Sequence, residues 1–252
     1  MQSLSRLHFL FFKKLRLIRG RLDKIISPIL ATIYKINPNK IPVILLTSLG
    51  IANLRTHHEF ITLDKIINSL DNINGDIIEC GVYKGKTLLG IAHILRKKGI
   101  NTQIFGLDTF EGNPSPSHED KLGNGKTHPH AKKGYYDDVS FEALNKKIHH
   151  LGFSDQIQLL RGEFQSTLPI LQDKSFSIVH LDCSLYRSYK TCLEFLYDKV
   201  LPGGYIIFDD YGELGATFPG AQRAIDEFFK NKPETIECFK GLHEPRYFIK
   251  KL

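Results

Sequence analysis

Acidic side chains follow apolar runs at several points of this sequence. Asp108 follows one run, Asp182 ends another, and the pair Asp209 and Asp210 ends a third. Carboxylates accept hydrogen bonds from ligand hydroxyls, act as general bases and bind hard divalent cations. These four residues are therefore the first candidates for chemistry in the chain.

A fifth acid, Glu79, stands beside a glycine-containing turn. Residues 76–87 have the pattern of a strand that enters a turn and opens a helix, with the spacing Glu-x-Gly-x-x-x-Gly. Ligands of open α/β sheets lie beyond strand ends at such turns. A dinucleotide site would show Gly-x-Gly-x-x-Gly around a pyrophosphate. S-adenosylmethionine has no phosphate but carries a sulfonium and an amino group, which an acid near the turn suits. We therefore predict that the turn binds S-adenosylmethionine. A tight turn with an incidental glutamate is the alternative.

Asp108 comes one strand-helix-strand length after this turn. An acid at the end of the second strand accepts hydrogen bonds from both hydroxyls of a ribose, which supports the nucleoside hypothesis. An aspartate that only caps a helix or stabilises a loop is the alternative.

The carboxylates of Asp182, Asp209 and Asp210 are expected to converge at one rim of the sheet. Neighbouring parallel strands lie about 5 Å apart, so acids at their ends come close together. Like charges so close disfavour joint ionisation unless a cation joins them. We predict Mg²⁺ at these three residues. Neutralisation by Lys or Arg, or partial protonation, is the alternative.

The elements that must position these acids alternate as in an α/β protein. Apolar runs separated by helical patterns predict a parallel sheet with crossover helices. The predicted strands are 76–80, 103–108, 156–161, 176–182 and 205–209, and the predicted helices are 87–98, 140–150, 188–199 and 220–230. Two more strand-like pieces, 235–239 and 246–250, predict an antiparallel terminal hairpin. That ending favours the Rossmann-like sheet of class I methyltransferases.

Basic residues are concentrated near the start of the chain. The formal net charge is +7, but the first 55 residues hold ten Lys or Arg against one acid, which leaves 24 basic and 26 acidic residues in the rest. A nearly neutral body argues against binding of nucleic acid, which needs clustered cations. We therefore divide the chain into a basic helical extension, 1–74, and an S-adenosylmethionine-binding methyltransferase domain, 75–252.

Residues 1–40 alternate apolar and basic residues at loosely helical spacing, which predicts an amphipathic helix. Such a helix packs on the domain, joins the subunits of a homo-oligomer, or contacts an anionic membrane through residues 1–25, and these alternatives stay open. No secretory signal fits, and the four cysteines lack a Cys-x-x-Cys pair. We expect a cytoplasmic protein with reduced thiols, with attachment to the inner face of the membrane as the variant.

Ordered motifs across residues 75–252 resemble the macrocin and mycinamicin sugar O-methyltransferases. The motifs are Glu79-Cys-Gly-Val-x-x-Gly85, Leu107-Asp-Thr-Phe-Glu-Gly112, Arg161-Gly-Glu-Phe-Gln-Ser-Thr-Leu-Pro169, Leu181-Asp-x-x-Leu-Tyr-x-Ser188, Pro202-Gly-Gly204, Asp209-Asp-Tyr-Gly212 and Pro219-Gly-Ala-x-x-Ala-x-Asp-Glu-Phe228. The resemblance implies transfer of a methyl group from S-adenosylmethionine to a sugar hydroxyl with the help of a divalent metal. The partner it implies is a small sugar-containing acceptor.

One position departs from the pattern of this family. The family usually shows Asp-x-Asp-Leu-Tyr, and here the second acid is replaced by Ser184. The resemblance implies that this acid helps to bind the metal or to activate the hydroxyl. With Ser184 at this position, three hypotheses stay open: the protein binds the metal weakly, it uses a different base, or it binds its ligands without turnover.

The predicted site combines three groups of residues. The methyl donor is assigned to Glu79, Gly81, Val82, Tyr83, Gly85, Thr87, Asp108, Thr109, Phe110, Gly162, Glu163 and Asp182. Asp182 is the predicted base, and His128 or His130 of the long segment 113–138 is the substitute. That segment follows the second strand on the ligand side and is predicted to cover the site. A catechol-type methyltransferase and a non-catalytic binding protein are the alternative functions.

Overall fold

The structure is a computed structural model that describes Ile29, Thr32 and residues 57–70, 74–239 and 246–252. The amphipathic helix predicted at the start of the chain, with its subunit or membrane contacts, therefore falls almost wholly outside the described residues.

Seven strands form a single sheet. In chain order they are β1 (Asp76–Cys80), β2 (Ile104–Asp108), β3 (Ile157–Arg161), β4 (Phe176–Leu181), β5 (Val200–Phe208), β6 (Glu237–Phe239) and β7 (Arg246–Lys250). Their order across the sheet is β3-β2-β1-β4-β5-β7-β6. The first five run parallel, while β7 runs antiparallel to both β5 and β6. This arrangement confirms the predicted α/β class with an antiparallel end.

The strand order reverses between β1 and β4, since β2 and β3 lie on one side of β1 and the later strands lie on the other. A crevice opens at such a reversal, beyond the carboxyl ends of the strands. The register places Glu79 opposite His180 across β1 and β4. The ends of β1, β2, β4 and β5 thus meet at the edge where the sequence places its acids.

Helices connect the strands and cover both faces of the sheet. They are α1 (His57–Ser69), α2 (Lys86–Lys98), α3 (Phe141–His150), α4 (Phe164–Thr167), α5 (Tyr186–Leu196) and α6 (Pro219–Phe229). The helix α3 begins at Ser140, whose side chain accepts the amide of Ala143, which satisfies one free donor of the first turn. The helix α2 ends at Gly99 in a left-handed conformation, whose amide reaches the carbonyl oxygens of Leu95 and Arg96.

Successive strand residues pack into two separate cores. Ile77 belongs to the core that α2 and α3 cover, and Ile78 belongs to the core that α5 and α6 cover. This alternation follows from the two-residue period of a strand. The helix α1 contributes Ile66 to the first core, so residues placed in the extension by the sequence analysis share the core of the domain. The boundary at residue 75 stays a prediction.

Strand β5 and the short helix α4 differ most from the elements predicted from the sequence. Strand β5 begins at Val200 rather than at 205, because Phe176 pairs with Val200 and Ile178 with Tyr205, which leaves Pro202 and its glycines in an irregular step of the ladder. The short helix α4 was not assigned from sequence. Four residues are too few to show a helical period. Among the helices of the described part of the chain, none combines the length and the apolar character needed to cross a bilayer.

Replacing Ile66 by alanine tests whether α1 is part of the domain. Ile66 is fully buried, so its truncation is expected to lower the free energy of unfolding by about 2–5 kcal/mol. Its exposed neighbour Lys65 is the control, and Lys65→Ala is expected to change stability by less than about 0.5 kcal/mol. Denaturant unfolding measures both, and an unchanged midpoint for Ile66→Ala contradicts a shared core.

Candidate active site

A cavity of about 540 Å³ opens above the carboxyl ends of the central strands. Gly81, Asp108, Asp182, Asp209 and Asp210 all line it. A second cavity of about 340 Å³ adjoins it and shares Thr109, Pro114, Phe164 and Ser188 with the first. The structure thus brings together the acids that the sequence placed at the ends of three different runs.

The turn after β1 touches the loop after β4 directly. Gly81 has a φ of +92°, and a Cβ atom added to it would lie 1.8 Å from the carbonyl oxygen of Asp182. No other residue type fits this approach or adopts this conformation at low cost. The glycine therefore brings the predicted methyl-donor turn and the acid cluster into one site.

Asp108 holds the two turns that border the cavity on the side of β2. One carboxylate oxygen accepts the amide of Tyr83 at 2.8 Å, and the other accepts the amide of Phe110 at 2.8 Å. Each carboxylate oxygen has a second lone pair, so these bonds leave acceptor capacity for a ligand. The side chain is thereby fixed in orientation at the edge of the cavity.

Backbone strain is concentrated around the cavity. Among the described residues other than glycine, those with positive φ are Tyr83 (48°), Phe110 (57°), Tyr136 (70°) and Ser184 (60°). Three of them line the cavity, and Phe110 is held by Asp108. Each left-handed residue of this kind costs about 1–3 kcal/mol and persists only where its surroundings enforce it. Such outliers cluster at functional sites.

Asp182, Asp209 and Asp210 form the acid cluster, with one oxygen of each lying within 4.8 Å of the others. Asp210 accepts the amide of Ser184 at 2.8 Å and the hydroxyl of Tyr189 at 3.0 Å. Burial raises the pKa of Asp182 well above its usual range, and the charges of Asp209 and Asp210 add to the effect. Burial together with Asp209 raises the pKa of Asp210 to about 7. Ionisation of all three acids together is therefore unfavourable unless a cation joins them.

A chain of buried charged groups lies behind the acid cluster. Arg246 of β7 binds Asp209 at 2.9 Å between Nη1 and Oδ1. His180 lies between Glu79, at 3.1 Å from Nδ1, and Asp209, at 3.9 Å from Nε2. Burial raises the pKa of Glu79, opposed by its hydrogen bond to His180. The second oxygen of Glu79 has no partner in the described part of the chain.

Sequence reasoning missed His180 and Arg246. The two-residue alternation of a strand places His180 on the same face as Asp182, which was an available signal. No such signal existed for Arg246, because the pairing register of β7 with β5 cannot be predicted from the sequence. Both residues enter the site through the sheet rather than through a loop.

Residues 113–138, here called the cover loop, extend over the cavity between β2 and α3. Asp120 fixes it to the start of α5 by accepting the amide of Tyr186 at 2.8 Å. At its other end Asp138 accepts the hydroxyl of Tyr83 at 2.6 Å and pairs with Lys84. His128, His130 and Tyr136 line the cavity. The two candidate histidines therefore line the same cavity as the acid cluster, and their predicted role as base stays a prediction.

Comparison with known proteins decides the family. The model of the macrocin O-methyltransferase family, TylF, matches residues 35–238. The chain belongs to this family. Membership confirms the resemblance seen in the motifs and identifies the chain as an O-methyltransferase.

Individual proteins are also similar to this chain. Demethyldecarbamoylnovobiocin O-methyltransferase of Streptomyces niveus is 29% identical over 72% of this chain and 67% of its own. The 8-demethyl-8-(2,3-dimethoxy-alpha-L-rhamnosyl)-tetracenomycin-C 4'-O-methyltransferase of Streptomyces olivaceus is 30% identical over 56% of this chain and 54% of its own. The calicheamicin methyltransferase CalS11 is similar in fold, with a TM-score of 0.67 and 20% identity over 89% of this chain and 91% of that structure.

In the present structure, some of the residues predicted to bind the methyl donor line the two cavities and others do not. Gly81, Tyr83, Asp108, Thr109 and Asp182 line the first cavity, and Glu163 lines the second. The other predicted donor residues do not line these two cavities. Val82 and Phe110 are in the core, and Glu79 is buried. Gly85 precedes α2, Thr87 borders a small cavity beside His180, and the amide of Gly162 donates to the carbonyl oxygen of Asp108. The donor assignments remain predictions.

Replacing Gly81 by alanine tests the contact between the two turns. The added Cβ collides with the backbone of Asp182, so we expect a loss of stability well above the cost of the left-handed conformation alone, and loss of S-adenosylhomocysteine binding. Gly99→Ala is the control, because Gly99 has a φ of +67° but open space around its Cβ; it is expected to cost about 1–2 kcal/mol. Equal losses of stability with retained binding contradict the close approach. Denaturant unfolding measures the stability, and calorimetric titration measures the binding of S-adenosylhomocysteine.

Proposed function

We propose that this chain transfers the methyl group of S-adenosylmethionine to a hydroxyl of a sugar carried by a small molecule, with Mg²⁺ at the acid cluster. One observation carries the proposal: Asp108 of β2 and the acid cluster after β4 and β5 face the same cavity. A side suited to a nucleoside thus adjoins a side suited to a cation.

The described residues fit S-adenosylmethionine. Ligand pockets measure about 300–1,000 Å³, and the two adjoining cavities reach about 540 and 340 Å³. Gly81 leaves space beside the strand ends, and Asp108 offers lone pairs to ribose hydroxyls. Glu163 lines the second cavity, where it suits the amino group of a base. When bound, the donor supplies a methyl group on a positively charged sulfur.

The acid cluster fits a hard divalent cation by the chemistry of its donors. Carboxylate oxygens are the ligands that Mg²⁺ prefers. Arg246 and the donors to Asp210 orient two of the carboxylates, but one guanidinium does not balance three acids. A bound divalent cation would lower the pKa of a hydroxyl that it ligates.

A sugar acceptor is supported by the relatives and by the shape of the site. The Streptomyces olivaceus relative is named as a methyltransferase of a rhamnosyl compound. The first cavity is open, and the rings of Tyr136, Tyr83 and His130 form one of its walls. Aromatic faces with polar edges suit a sugar ring, which carries both apolar and hydroxyl groups.

The residues of the chain divide the work in this proposal. Asp108 and Gly81 orient the donor, the acid cluster holds the cation, and the cover loop excludes water. A base lining the cavity takes the proton of the acceptor hydroxyl. Holding oxygen, methyl carbon and sulfur in line supplies much of the remaining acceleration.

Methyl transfer from labelled S-adenosylmethionine tests the proposal. The acceptors are a deoxysugar glycoside, a nucleotide-linked sugar, the matching aglycone and a catechol. We expect label in the sugar-bearing compounds and none in the aglycone or the catechol. Transfer to the catechol favours the catechol-type alternative. Heat on titration with S-adenosylmethionine without transfer to any acceptor favours a binding protein.

Thermal and chemical unfolding with and without Mg²⁺ tests the metal assignment. Ligand at 100 times its Kd stabilises a one-site protein by about 2.7 kcal/mol, and we expect Asp182→Asn to abolish this gain. Because the pKa of Asp182 is raised, its ionised form destabilises the fold near pH 7, so without Mg²⁺ the variant is expected to be no less stable than the parent. The exposed Asp198 gives the control, Asp198→Asn. Equal stabilisation of parent and Asp182→Asn by Mg²⁺ contradicts the assignment.

A further inference from the structure

Resting on the proposed function, we infer that His130 takes the proton from the acceptor hydroxyl and that His128 holds the acceptor as a hydrogen-bond donor. Both histidines line the cavity from the cover loop. Their hydrogen bonds differ, and that difference assigns the two roles.

The acid side of the cavity lacks a free base. Asp209 is paired with Arg246, and Asp210 accepts two hydrogen bonds. Asp182 is committed to the cation in the proposed function. Ser184, which stands where the family usually has a second acid, offers a hydroxyl that does not ionise near neutral pH. The proton must therefore leave toward another wall of the cavity.

His128 is unsuited to accept this proton. Its Nδ1 accepts the backbone amide of His130 at 3.2 Å, so the neutral ring carries its proton on Nε2. The ring then presents a donor to the cavity. A hydroxyl oxygen of the acceptor accepts such a bond, which positions the acceptor without removing its proton.

His130 is free to act as the base. Neither ring nitrogen has a hydrogen-bond partner among the described residues, while its carbonyl oxygen accepts the side-chain amide of Asn113 at 2.8 Å and fixes the backbone. Its ring packs against His128 at 4.9 Å and Tyr135 at 4.7 Å between centroids. The side chain is exposed on its outer side, so the proton passes from the ring to bulk water.

Titratable groups surround His130 on several elements. Tyr135, Tyr136 and His128 contact its ring, and Lys132 and Lys133 follow it in the cover loop. The acid cluster lines the same cavity. In the proposed step the acceptor oxygen forms a bond to the methyl carbon, the carbon–sulfur bond breaks with its electron pair going to sulfur, and the hydroxyl proton goes to the imidazole of His130.

Two glutamine variants separate the roles. His130→Gln is expected to lower kcat by about 10²–10⁴-fold, with little change in KM for the acceptor, and to lose the rise of rate with pH that a general base gives the parent. His128→Gln is expected to raise KM for the acceptor and to keep that pH dependence. His150→Gln, on the exposed side of α3, is the matched control and is expected to behave as the parent.

Calorimetric titration with S-adenosylhomocysteine accompanies the kinetics, and equal affinity in all four proteins shows that the variants fold and keep the donor site. A parental kcat and pH profile in His130→Gln, or loss of the pH dependence in His128→Gln, overturns the inference while the proposed function stands. Absence of transfer by the parent itself overturns the proposed function and the inference with it.

Discussion

The contact between the turn after β1 and the loop after β4 is the constraint on which the site depends. At Gly81 the two backbones approach so closely that a single Cβ atom would lie 1.8 Å from the carbonyl oxygen of Asp182. This approach follows from the neighbouring positions of β1 and β4 at the point where the strand order reverses. The acid of β2 and the acids after β4 and β5 consequently share one cavity.

Strain and buried charge at this site are held in place by the rest of the fold. The left-handed residues around the cavity cost stability, as does a cluster of carboxylates out of water. Asp108 fixes two of the strained turns through backbone amides, and Asp210 fixes Ser184 in the same way. The two apolar cores on either side of the sheet supply the stability that offsets these costs. On one side the site is therefore built from turns that hydrogen bonds hold at the strand ends. On the other side it is built from the cover loop.

Much of the fold was predictable, because hydrophobic periodicity marks the strands and helices and the antiparallel ending distinguishes the class. The acids at the strand ends were found for the same reason, since parallel strands end at one edge. Contacts between distant segments were not predictable. Arg246 reaches Asp209 only through the pairing of β7 with β5, and the hydrogen bond that separates His128 from His130 depends on a local turn. Phe110 and Val82 were assigned to the donor from their position in a motif, whereas their side chains lie in the core.

The order of strands at the antiparallel edge has a consequence for assembly. Strand β6 precedes β7 in the chain but lies outside it, and β7 is its strand partner in the described part of the sheet. Strand β6 therefore joins the sheet through β7, which alone of the two pairs with β5 in the described residues. Strand β7 also carries the guanidinium of Arg246, which pairs with Asp209 of the acid cluster. Compensation of the acid cluster is thus coupled to closure of the sheet by β7.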